Sequence, residues 1–115
     1  MSFSEFEIKR YEKAVQTLIN KRRPPEQVRD KVDLGFELIS QSVEIFEMRA
    51  HWQNPSEKIK QPIAKATYVK SKNLWKIYWM KSDLKWHEYE PEFKVGDLSE
   101  FVTIVDLDEH GCFWG

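Results

Sequence analysis

Lys76, Tyr78, Lys85, His87 and Tyr89 are the side chains whose types and spacing most invite chemistry. A spacing of two keeps Lys76 with Tyr78 on one face of a strand, and Lys85, His87 and Tyr89 on one face of the next. Lys65, followed by Thr67, extends that face from the strand before. Rings stack on bases and cations follow phosphates, so this mixture suits single-stranded nucleic acid. Each stacked base contributes roughly 1–3 kcal/mol, so two or three rings suffice for useful affinity. The competing reading is a plain solvent face, on which lysine stems cover ring edges and guard the sheet. No recognised single-strand-binding motif selects between the two.

A second constellation is His110 and Cys112, with His87 as a third member. An extended His-x-Cys pair points both side chains the same way, and Asp108 or Glu109 adds oxygen donors for a metal. Structural zinc sites use four ligands in paired spacings, which this chain lacks. The same residues read equally as a helix ending, with His110 on the negative end of the dipole and Gly111 as the left-handed residue. Cys112 with either histidine also has the types of a nucleophile and its base. Beside Phe113 and Trp114, however, a lone cysteine more often behaves as a small buried hydrophobe. Arg22, Arg23, Arg29 and Lys31 gather near a bend where an anion would fit, or where Glu26 and Asp30 would pair with them. No cofactor motif occurs, and none is expected.

Charge is nearly balanced over the 115 residues but unevenly laid out. Residues 58–87 hold eight lysines against Asp83 alone, whereas 88–115 hold eight acids against Lys94 alone. A basic-then-acidic split marks either a nucleic-acid surface beside an acidic segment, or two halves that compensate each other. No run approaches the length of a membrane span, and no signal-peptide pattern opens the chain. One cysteine excludes an internal disulfide. The expectation is a single cytoplasmic domain over residues 1–115, a monomer or weak homodimer with no membrane association.

The elements that must position these side chains follow from periodicity. Ser2 or Ser4 with Glu5 or Glu7 forms a capping box, and Ile8, Tyr11, Val15 and Leu18 recur at helical spacing, predicting a helix over about 4–22. Lys21-Arg22-Arg23 suits its C-terminus, and Pro24-Pro25 ends it. From Val32 to Ile39 the period becomes two; Ser40-Gln41-Ser42 turns the chain, and Val43–Ala50 returns. Asn54-Pro55 signals a turn in a polar loop. Pro62 opens a third strand, Ile63–Lys70, in which Ala64 and Ala66 leave room for something bulky. Residues 74–91, with three of the five tryptophans, form a hairpin turning tightly at Ser82-Asp83. Its Trp75, Ile77 and Trp79 face the core. Asp97 with Glu100 starts a second helix, spaced by Leu98, Phe101, Val102 and Val105 and ending near Leu107. Phe113 and Trp114 are too apolar to stay in solvent. The sum is an α+β fold, a mostly antiparallel five-stranded sheet with both helices on one face.

These landmarks also carry a resemblance. Lys21-Arg22-Arg23-Pro24-Pro25, Gln41-Ser42-Val43-Glu44, Ala64-Lys65-Ala66-Thr67-Tyr68-Val69, Trp79-Met80, Asp83-Leu84-Lys85-Trp86-His87, Tyr89-Glu90-Pro91 and His110-Gly111-Cys112-Phe113 resemble the bacterial domain-of-unknown-function family numbered 3024, in order and over nearly the whole chain. The resemblance implies a small bacterial protein standing alone, and it carries no activity, cofactor or site residue to transfer. The expected function is a non-enzymatic binding domain, with a protein or a single-stranded nucleic acid as partner.

Overall fold

The computed structural model describes residues 3–54 and 56–114. Ser2 and Pro55, two of the signals used above, lie outside them. Helix α1 spans Glu5–Arg22 and opens on a closed capping box: Ser4 Oγ accepts from the Glu7 N–H at 3.2 Å, and Glu7 Oε1 accepts from the Ser4 N–H at 3.0 Å. Strands β1 (Val32–Ile39), β2 (Ser42–Ala50), β3 (Lys58–Val69) and β4 (Leu74–Met80) form an antiparallel meander. Two short strands, β5 (Trp86–Glu88) and β6 (Lys94–Val95), lie end to end along the far edge of β4. Helix α2 spans Leu98–Leu107. The α+β fold with both helices on one face is as expected, and β6 adds a sixth strand.

The core lies between the helices and one face of the sheet. Tyr11, Val15, Leu18 and Ile19 of α1 and Leu98, Phe101 and Val105 of α2 meet Val43, Ile45, Ala64, Ala66, Trp75 and Ile77. Phe3, Tyr11, Tyr68 and Trp75 join in edge-on and tilted contacts with centroids 4.9–6.3 Å apart. Such contacts add to the area that the rings bury. Trp79 is only partly buried, at the margin of this cluster.

Two local departures from the sequence reading matter for the surface. Pro62 sits inside β3 rather than opening it, at a bulge where the β2–β3 register slips between Ile45 and Phe46. Proline is tolerated there because the bulge relaxes the ladder, and because β4 pairs β3 only from Ala64 onward. The β4–β5 turn holds three residues, not two. Lys81 N–H donates to the Lys85 carbonyl at 3.2 Å, and Leu84 takes the left-handed conformation with φ of 62°. A type I turn closed by a left-handed residue is the usual three-residue hairpin loop. The free edge β1 is flanked by charge: Arg23 grips Asp33 through two bonds of 2.8 Å, and Lys60 pairs with Glu37 at 2.7 Å. Charged side chains of this kind discourage edge-to-edge pairing.

Candidate functional site

The extra turn residue decides which side chains share the helix-free face. Met80 pairs with Trp86, Trp79 with His87 and Tyr78 with Glu88. Because neighbours across a ladder share a face, Trp86 and Glu88 join Tyr78, while His87 and Tyr89 turn to the helix side. The set read from sequence is therefore split. Lys65, Lys76 and Tyr78 lie on the helix-free face, Lys85 sits exposed in the turn, and His87 and Tyr89 do not belong to it. Trp86, whose face sequence alone leaves undecided because it depends on the turn register, joins the set, and Lys94 is the member that sequence reasoning missed. The advance signal for Trp86 was the absence of an Asn-Gly or Asp-Gly dipeptide at Ser82-Asp83, which would have fixed a two-residue turn. Lys94, on the two-residue β6, gave none.

Lys65 organises this face. Its Nζ lies 5.1 Å from the Tyr78 ring centroid and 4.9 Å from that of Trp86. In the next row Lys76 stands directly opposite Thr67 on one side and Lys94 on the other. Neither Lys76 nor Lys94 has a carboxylate partner among the described residues. Like charges facing each other across a ladder destabilise it. Glu44 and Glu88 flank the row of Lys65 and Tyr78. At the other end of the face, Phe46 packs over Gly35 with Lys60 Nζ 4.6 Å above its ring. The acidic helix α2, which contains no lysine or arginine, lies on the opposite side of the sheet.

The histidines and the cysteine are held apart in role. His87 Nε2 lies 2.8 Å from Asp83 Oδ2. That bond, more than the Lys85 N–H also received by Asp83, holds the aspartate below the usual carboxylate range. The Cys112 thiol contacts the backbone carbonyl of His110 at 3.9 Å, not its ring. Burial first, and then the Asp108 charge, push the thiol up from its ordinary value, the reverse of an activated nucleophile. Among the described residues no three His, Cys, Asp or Glu side chains converge as metal ligands, so His87, His110 and Cys112 do not form such a set. The tail instead caps α2. Asp108, left-handed at φ of 43°, accepts from the Phe113 and Trp114 N–H groups at 3.1 and 2.9 Å. Trp114 Nε1 donates to the Val105 carbonyl at 2.8 Å. Gly111 is left-handed too, but in the following turn.

The arginines near Pro24-Pro25 are likewise occupied, though not by Glu26 and Asp30. Arg22 bonds the Asp106 side chain at 3.1 Å and also its backbone carbonyl, Arg23 takes Asp33, and Arg29 bonds the Pro24 carbonyl at 2.9 Å. No helix among the described residues is long and apolar enough to cross a membrane.

No curated protein and no solved structure matches this chain. A family model described as a domain of unknown function, DUF3024, matches residues 3–115, and the chain belongs to that family.

Proposed function

We propose that the helix-free face binds single-stranded nucleic acid, in the cytoplasm of a bacterial cell and without catalysis. The observation that carries this reading is the arrangement of Lys65 over Tyr78 and Trp86 beside the opposed Lys76 and Lys94. A cation over a ring that solvent still reaches, as it does the half-buried Tyr78 and Trp86, is worth about 0.5–1 kcal/mol. A base stacked on the same ring contributes roughly 1–3 kcal/mol. The base therefore wins the ring, and the displaced ammonium remains close enough to follow a phosphate. Lys94 Nζ rests 5.6 Å from the Phe93 ring centroid. An anion laid between Lys76 and Lys94 would relieve the repulsion of two lysines that face each other across the ladder. Glu44 and Glu88 bound the strip, favouring a strand that runs along β3 and β4 over one that crosses the sheet.

The test is fluorescence anisotropy of a labelled single-stranded oligonucleotide across a salt titration, with the duplex as control. Wild-type binding should weaken with salt, by about 0.7 in log–log slope per phosphate contacted. The Lys76→Glu/Trp86→Ala variant should lose at least about tenfold in affinity, the equivalent of one stacked base. No anisotropy change at low salt, or equal binding by the variant, would end this reading.

A further inference from the structure

On the other side of the molecule, a cavity of about 380 Å³ opens between the Glu90–Glu92 turn and α2. We infer that this cavity is a binding site for an aliphatic diamine or polyamine. Its volume falls within the range typical of small-ligand pockets, about 300–1,000 Å³. Pro91, Ile104 and Leu107 supply apolar lining, and Leu107 remains 61% exposed although it is a large aliphatic residue. Glu92, Glu100 and Glu109 supply the charge; His110 also lines the cavity, and no lysine or arginine does. Glu100 spends one oxygen on the N–H groups of Gly96 and Asp97, each at 3.0 Å. Glu92 and Glu109 have no side-chain partner among the described residues.

An independent observation points the same way. Tyr89 also lines the cavity and is only 3% exposed, yet its hydroxyl has no hydrogen-bond partner among the described residues. It is not among the fully buried, unpaired polar atoms, so the hydroxyl keeps a small opening, and its residue lines this cavity. A buried phenol normally finds a partner. An ammonium donates to that oxygen and pairs with a carboxylate, while the methylenes between two ammonium groups cover Ile104, Leu107 and Pro91. An inorganic cation has no use for the apolar lining, and an anion is repelled by the three glutamates.

Isothermal titration of the full chain with spermidine, in buffer near physiological ionic strength, tests this assignment, with magnesium chloride as competitor. Saturable binding that magnesium at matched ionic strength does not displace is expected. Glu92→Gln/Glu109→Gln, both on the surface, should weaken it about tenfold, the sum of two exposed ion pairs. Tyr89→Phe keeps the ring and removes only the hydroxyl, and should weaken it several-fold. No saturable heat, displacement by magnesium, or undiminished affinity in either variant would overturn the assignment. Since none of these residues lies on the helix-free face, failure here leaves the nucleic-acid reading untouched, and the reverse also holds.

Discussion

The two faces of β4 alternate residue by residue and are satisfied in different ways. Trp75 and Ile77, 2% and 0% exposed, are closed in by α1, α2 and Phe3. Lys76 and Tyr78, one residue away in each case, have a facing lysine and a shared ammonium. The first face is complete within the chain, because apolar area needs only other apolar area. The second is complete only with solvent or a ligand, because opposed charges of one sign cannot satisfy each other. One strand thus separates stability from recognition through its pleat alone.

That contrast is tested first by the two tryptophans. Trp75→Ala should cost about 3–5 kcal/mol, the range for deleting a large ring from a packed core. Trp86→Ala, partly buried on the other face, should cost no more than about 1 kcal/mol, since Lys65 and solvent fill in. Urea unfolding followed by circular dichroism measures both. Similar losses at the two sites would mean that the helix-free face is a second core and not a surface held for a partner.

The helix-free face does have one packed end, at Gly35. A Cβ there would lie 2.9 Å from the Phe46 ring and 3.2 Å from the Met48 methyl. Phe46 is buried at 7% although it stands outside the main core cluster. Gly35→Val should therefore destabilise by about 1–3 kcal/mol, the usual cost of overpacking. Adding Phe46→Leu should recover much of that loss, because the two sites share one contact. Additive losses in the double variant would place the strain in the backbone of β1 instead.

The same two faces explain what the sequence could reveal. Covered surfaces write themselves into periodicity: Tyr11, Val15 and Leu18 marked α1, and Phe101 and Val105 marked α2. Ser4 with Glu7 and Asp97 with Glu100 gave both helix starts. Even the docking of Phe113 and Trp114 followed from their apolarity. The helix-free face depends on register, which depends on turn length. One left-handed leucine at position 84 exchanges His87 and Tyr89 for Trp86 and Glu88. Leucine rarely adopts that conformation, so no local propensity announced it. Pro62 misled for a related reason, since a bulge is a property of two strands and Phe46 lies sixteen positions earlier. Lys94 was invisible because a two-residue strand has no period.

The smallest effect concerns the polar seam that closes the covered side. Asp106 receives Lys21 Nζ at 2.6 Å and Arg22 Nε at 3.1 Å, joining α2 to the end of α1. The Arg22 guanidinium lies 4.6 Å over the Trp114 ring, so the docked tail belongs to the same cluster. Lys21 first, and Arg22 after it, hold the Asp106 carboxyl below its usual range. A carboxylate that is more acidic in the fold than in the unfolded chain stabilises above the unfolded pKa of about 3.9. That contribution is lost as pH falls from there through the depressed value. Lys21 is 66% exposed, so screening keeps the effect modest, and Asp106→Asn should cost about 1 kcal/mol or less at neutral pH. The difference between wild type and variant should then shrink toward zero as unfolding is repeated at lower pH. A pH-independent difference would assign the loss to the shape of asparagine, and the seam would hold by packing of Arg22 on Trp114 alone.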